Sequence, residues 1–173
     1  MKSITIILVA SVLAASGRTC LADANSDAKK AIQAGVNKAM QLIMEGKFDA
    51  LTKMCTPDCT FTENGKSTDL NQTLSMMKTE MAKCKDTKMA STLLTCSVKG
   101  GIATCTSHDI TSTSEQSPDK KWHKIATDGT SKSTFVKSGA TWLMKSSATI
   151  SEKMTMDGKP FNPPAAATAP KKQ

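Results

Sequence analysis

Tyrosine is missing from this chain, and aromatic side chains of any kind are scarce: two tryptophans and four phenylalanines in 173 residues. A nucleic-acid groove needs stacking surfaces beside its cations. The formal charge of +8, carried by lysines scattered along the chain singly or in pairs, therefore reads as a solvated basic surface and predicts no nucleic-acid partner. Histidine is nearly absent as well. His108 falls on the solvent side of its predicted strand and His123 follows Trp122 at a strand start, so neither joins a metal set nor pairs with a serine nucleophile. The many serines have no G-x-S-x-G setting, and no phosphate loop or dinucleotide fingerprint occurs. No cofactor and no metal are expected.

Long apolar runs are also lacking, with one exception that sets the expected address. Lys2 supplies a positive start, residues 4–15 an apolar core, and Ala22 and Ala24 the small residues of an A-x-A cleavage site. The run is too short to span a bilayer, so no membrane span is expected. Cys20, behind Arg18-Thr19, lacks the small residues of a lipidation site and is expected to leave with the leader. This reading divides the chain into a signal peptide over 1–24, one domain over 25–159, and a disordered Pro/Ala/Lys tail over 160–173. The leader takes Lys2, Arg18 and Asp23 with it, which leaves 21 basic and 14 acidic residues in a periplasmic or secreted protein.

Cysteine use fits an oxidising compartment. Gly100-Gly101 between two strand-like runs makes a two-residue hairpin turn, which places Lys99 opposite Ile102 and Cys96 opposite Cys105. Counting from the turn makes the cysteines a non-hydrogen-bonded pair within disulfide reach. Cys55, Cys59 and Cys84 then allow one further bridge and one free thiol. Their spacing lacks the paired C-x-x-C of a zinc site.

The two halves of the domain differ in period. Ile32, Val36, Ala39, Met40 and Ile43 share one helical face that Gly46 ends, a short helix follows over 49–54, and a strand over 59–63. Asp69 with Gln72 forms a capping box for a third helix, whose Leu70, Leu74, Met77 and Met81 turn inward as core. Residues 89–156 read as strands. Leu94, Cys96 and Val98 alternate inward and are met by Ala103, Cys105 and Ser107. A strand over 123–137 precedes a turn at Ser138-Gly139 and a last strand with Trp142, Met144, Ala148 and Ile150 on one side, broken at Ser146.

Three stretches carry a family resemblance: AMQLIMEGKFDAL (39–51), MCTPDCTFTE (54–63) followed by Gly65-Lys66 before a helix, and TFVKSGATWLM (134–144). Their order and spacing resemble an NTF2-like domain of the SnoaL-like or DUF4440 type. The resemblance implies an α+β cone, with three N-terminal helices packed on a strongly curved, mostly antiparallel sheet and a pocket at the open end. It covers residues 28–158 and by itself names no function.

The fold's ketosteroid isomerases offer one catalytic pattern to compare. A general-base carboxylate follows the Pro-Asp turn, where this chain has Glu63, and an apolar cone could raise its pKa. The two proton donors of the oxyanion hole are replaced by Ala39 and Ser131, so steroid-isomerase chemistry is not expected. The sequence thus predicts an exported NTF2-like domain that binds a small, partly apolar ligand or a protein partner. Phe61, Glu63, Trp142 and Met144 are the expected pocket residues. The competing expectation is a SnoaL-like isomerase or hydrolase with Glu63 or Asp109 as general base. A homodimer through the sheet is a third.

Overall fold

A computed structural model describes residues 21–161. The expected signal-peptide features over 1–20, Cys20 included, and the tail over 162–173 lie outside the described residues. Ala22 and Ala24 fall within the first helix, α1 (Leu21–Met44). After it come α2 (Phe48–Leu51), a single 3-10 turn (Thr52–Met54), β1 (Cys55–Glu63), β2 (Lys66–Asp69) and α3 (Leu70–Met81). Four long strands follow: β3 (Cys84–Lys99), β4 (Ile102–Gln116), β5 (Trp122–Ser138) and β6 (Thr141–Met156), with the two-residue β7 (Lys159–Pro160) at the end. The sheet order is β2-β1-β6-β5-β4-β3, with β7 on β6; only β1 and β6 run parallel. This is the α+β cone with its curved, mostly antiparallel sheet.

Local chemistry accounts for the elements. Asp69 accepts from the backbone N–H of Gln72 at 2.8 Å, and the Gln72 side chain accepts from the Asp69 N–H, which completes the capping box of α3. Gly100 and Gly101 both have positive φ, +57° and +79°, the conformation that a tight primed hairpin turn needs. The turn sets the β3–β4 register: Lys99 pairs with Ile102 and Cys96 with Cys105. The two cysteine Cα atoms are 4.1 Å apart and a disulfide joins them.

Three bulges change the alternation read from sequence. At Leu94 the register of β3 shifts, so Leu93 is buried and Leu94 is 51% exposed, the reverse of the expected facing. In β6 the register against β5 shifts at Lys145 and again at Ile150. Trp142 and Met144 point inward as expected. Beyond Lys145 the inward residues become Ser147 and Thr149, so Ala148 faces outward with its partner Lys132, and Ile150 is 59% exposed. Each bulge bends its strand, and together they help curl the sheet.

The core lies between the helices and one half of the inner sheet face. Ile32, Val36, Ala39 and Ile43 of α1, and Leu70, Leu74 and Met77 of α3, pack with Leu93, Ala103, Cys105, Phe135, Trp142 and Met144. A polar stripe on α1 caps the free edge of β3. Asn25 Oδ1 accepts from Val98 N–H at 2.8 Å, Lys29 Nζ donates to Leu94 O at 2.9 Å, and Gln33 accepts from Leu93 N–H while donating to Ser91 O. Residues 25, 29 and 33 recur every four positions, so one side of the helix shields an edge that could otherwise template pairing with another chain.

Candidate functional site

Beyond the apolar half of the sheet, the inner face becomes polar. Ser91, Ser107, Ser131, Ser133 and Ser147 are all buried there, and Asp109 lies among them at 7% exposure. Ser91 Oγ donates to Asp109 Oδ1 at 2.5 Å, and Ser131 Oγ donates to Oδ2 at 2.5 Å. Ser107 Oγ sits 3.1 Å from the same Oδ2 and 2.8 Å from Ser131 Oγ. One carboxyl group thus holds three hydroxyls in fixed positions, which satisfies its oxygens inside the sheet.

A second acidic group faces the same interior. Asp109 pairs with Gly129 on β5, which pairs with Glu152 on β6, so the two carboxylates flank a residue without a side chain. A Cβ at Gly129 would meet Ser151 O at 3.0 Å and Glu152 Cβ at 3.9 Å, so a side chain here would press on the backbone of β6. Burial, and then the charge of Glu63, push the Glu152 carboxyl up to about 7. Burial likewise raises Glu63 above the ordinary glutamate range. Two carboxyls near enough to repel each other in a partly desolvated site leave one protonated near neutrality. The pair can therefore both accept and donate a proton.

An open groove of about 420 Å³, solvent included, lies where α3 meets the β3–β4 hairpin; it is lined by Glu80, Met81, Cys84, Thr87, Met89, Thr111 and Thr113. Met89 and Thr111 form the next inward pair along the strands from Ser91 and Asp109, so the groove adjoins the Asp109 cluster. Its walls mix thioether, thiol and hydroxyl groups.

Of the pocket residues expected from sequence, Glu63 and Phe61 lie half-buried on the inner side of β1. Trp142 and Met144 do not accompany them. They are packed into the core at 5% and 0% exposure and offer little surface to a ligand. Asp109 is inward, as a base would need to be, but its oxygens are occupied by serine hydroxyls. Ala39 is a fully buried core residue, and Ser131 belongs to the hydroxyl cluster. The histidines pair with carboxylates, His108 with Asp128 at 2.9 Å and His123 with Asp157 at 2.8 Å.

Sequence reasoning missed Glu152 and the serines around Asp109. The two bulges in β6 each shift the alternation by one and so cancel. Simple alternation from Trp142 and Met144 therefore lands correctly on Glu152, and that signal was available. Among the described residues no three His, Cys, Asp or Glu side chains gather as a metal site, and no helix is long and apolar enough to cross a membrane.

No protein-family model matches the chain, and neither does any curated protein. Solved structures do. Kfla4162 protein from Kribbella flavida aligns at 12% identity and a TM-score of 0.61, over 76% of this chain and 94% of that one. A type 2 hexachlorocyclohexane dehydrochlorinase, LinA, aligns at 11% identity and 0.59, over 84% and 95%. A putative dehydratase from the NTF2-like family of Streptomyces avermitilis aligns at 14% identity and 0.56, over 75% and 99%. At these identities the likeness establishes the NTF2-like fold and nothing finer. The SnoaL-like and DUF4440 labels remain resemblances of sequence alone.

Proposed function

We propose that this chain is an exported small-molecule-binding protein of NTF2-like fold, with its ligand held against the hydroxyl and carboxylate belt of the inner sheet face. The observation that carries the reading is the Glu63–Glu152 pair. Both carboxyls are raised by burial, Glu152 further by the charge of Glu63, and such perturbed groups concentrate at working sites. The ligand is small and partly apolar, with polar groups that meet Asp109 and its serines while its apolar part lies along Met81 and Met89. Native mass spectrometry of protein purified from its exporting host tests this, with a bound small molecule expected. A ligand-free spectrum, together with no thermal shift from any fraction of the host's small-molecule extract, would defeat it.

The second reading is a proton-transferring enzyme, an isomerase, dehydratase or hydrolase, with Glu63 or Asp109 as base. The specific observation in its favour is Glu152 at about 7, poised to exchange a proton near neutral pH. A solved structure of similar fold is described as a putative dehydratase and another as a dehydrochlorinase. Turnover that falls with Glu63→Gln and follows a neutral pKa favours the enzyme. Turnover indifferent to both Glu63→Gln and Asp109→Asn removes it.

Export rests on the leader read from sequence, with cleavage after Ala24, and intact-mass analysis of the exported protein tests it. A protein partner, including a second copy through the sheet, would meet the outer face, where Leu94, Ile102, Ile110 and Ile150 are exposed. Sedimentation at micromolar concentration tests self-association, and a strict monomer removes it.

A further inference from the structure

Cys55 and Cys59 are four positions apart on β1, and in an unbroken strand that spacing separates two backbones by roughly 13 Å. Their thiols could not then touch. Here Cys55 pairs with Met144 and Thr60 with Ser146, so five residue steps of β1 advance only two steps along β6. The surplus residues around Pro57 are thrown out as a bulge, and its two ends are drawn together. Two steps of strand span roughly 7 Å, so the stretch from Cys55 to Thr60, Cys59 included, is folded back to about the upper limit of the separations that a disulfide bridges. The two thiols lie near enough to act on each other, since the neighbouring Cys55 helps push the Cys59 thiol up. Both residues are buried in one core cluster, at 5% and 1% exposure, and both are free thiols in this structure. The same domain also holds Cys96 against Cys105 in a bridging position.

We propose that Cys55 and Cys59 close a second disulfide across the bulge at residues 56–58 when the chain folds in the presence of a small-molecule or protein disulfide, leaving Cys84 as the remaining thiol among the described residues. One cysteine thiolate attacks the donor disulfide, forming a mixed disulfide and releasing one donor thiol. The second cysteine thiolate then attacks the cysteine sulfur of that mixed bond and releases the other donor thiol. Two protons and two electrons pass from the cysteine pair to the donor. The neighbouring Cys55 and burial push the Cys59 thiol up, so the folded core suppresses the thiolate and the bond forms before the site closes. The bridge fixes the bulge beneath the segment that carries Phe61 and Glu63, and it holds whether or not the inner face binds a ligand.

In the test, purified protein is reduced, unfolded, and refolded with mixed reduced and oxidised glutathione. It is then unfolded, alkylated and cut with trypsin. Cleavage after Lys53 and Lys66 puts both cysteines in one fragment, 54–66. The expected fragment carries no alkyl group and is two hydrogens lighter than the dithiol, while Cys84 is alkylated. Cys84→Ser leaves this closure unchanged, and Cys59→Ser leaves Cys55 alkylated. Two alkyl groups on 54–66, a glutathione adduct there, or a cross-link to Cys84 overturns the proposal. Oxidant added only after folding should close the pair at least about tenfold more slowly. Equal rates overturn the stated order of events.

Discussion

Replacing Glu152 with glutamine should make the protein more stable at mildly alkaline pH and leave it unchanged in acid. The folded carboxyl sits at about 7, raised by burial and then by Glu63. An unfolded glutamate titrates at roughly 4.3. Between those values the folded chain holds the extra proton, so stability is fully present below the unfolded value and falls as pH rises through the folded one. An unscreened shift of this size corresponds to roughly 3–4 kcal/mol. Glu152 is only half-buried and solvent screens part of the repulsion, so the expected penalty near pH 8 is about 1–2 kcal/mol. Glutamine keeps the volume and removes the charge. For a domain of this size the gain corresponds to a Tm higher by roughly 3–6 °C. Thermal unfolding followed by circular dichroism at about pH 4 and about pH 8 reads the difference directly. A variant that matches the parent at the higher pH, or is less stable there, refutes the account of Glu152 and its coupling to Glu63.

Three further perturbations probe the frame around the site. Gln33→Ala strips the bonds that cap Ser91 O and Leu93 N–H on the edge of β3, and should cost about 1–3 kcal/mol in urea unfolding; an unchanged midpoint would mean that water serves this edge equally well. Replacing both Cys96 and Cys105 with serine opens a nine-residue separation and should lower stability by about 2 kcal/mol, with no change expected in a reduced parent treated the same way. Asp109→Ala leaves three buried serine hydroxyls without their acceptor and should cost about 2–4 kcal/mol, whereas Asp109→Asn keeps one acceptor oxygen and should cost less. Equal losses for the two would show that the acceptor role of residue 109 is not what holds the cluster.

Sequence revealed those parts of the molecule that depend on local chemistry. Asp69 and Gln72 identify the start of α3, and Gly100-Gly101 fixes a two-residue turn from which the Cys96–Cys105 register follows by counting. The stripe of Ile32, Val36, Ala39 and Ile43 identifies the buried face of α1. What sequence did not reveal are the bulges. Leu94, Lys145 and Ile150 have no shared composition, because a bulge arises where strands of a curling sheet must differ in length, and that demand comes from the whole cone. Simple alternation therefore turns Leu94 and Ile150 inward, whereas both are exposed. The site suffered from the same limit. Ser91, Ser107, Ser131 and Asp109 come from three strands, and only the assembled register brings them together. Trp142 and Met144 were expected at the pocket because apolar groups suit a ligand wall, but the same property draws them into the core.

If the acidic belt on the inner face is the proposed ligand site, occupancy must depend on Glu63 and Glu152. The most direct test equilibrates the parent chain and the Glu63→Gln/Glu152→Gln double variant with one small-molecule extract of the exporting host, followed by native mass spectrometry of both. The account predicts a bound small molecule on the parent, absent or at least about tenfold weaker on a folded double variant. Equal occupancy of the two proteins, or a ligand-free parent, would contradict it.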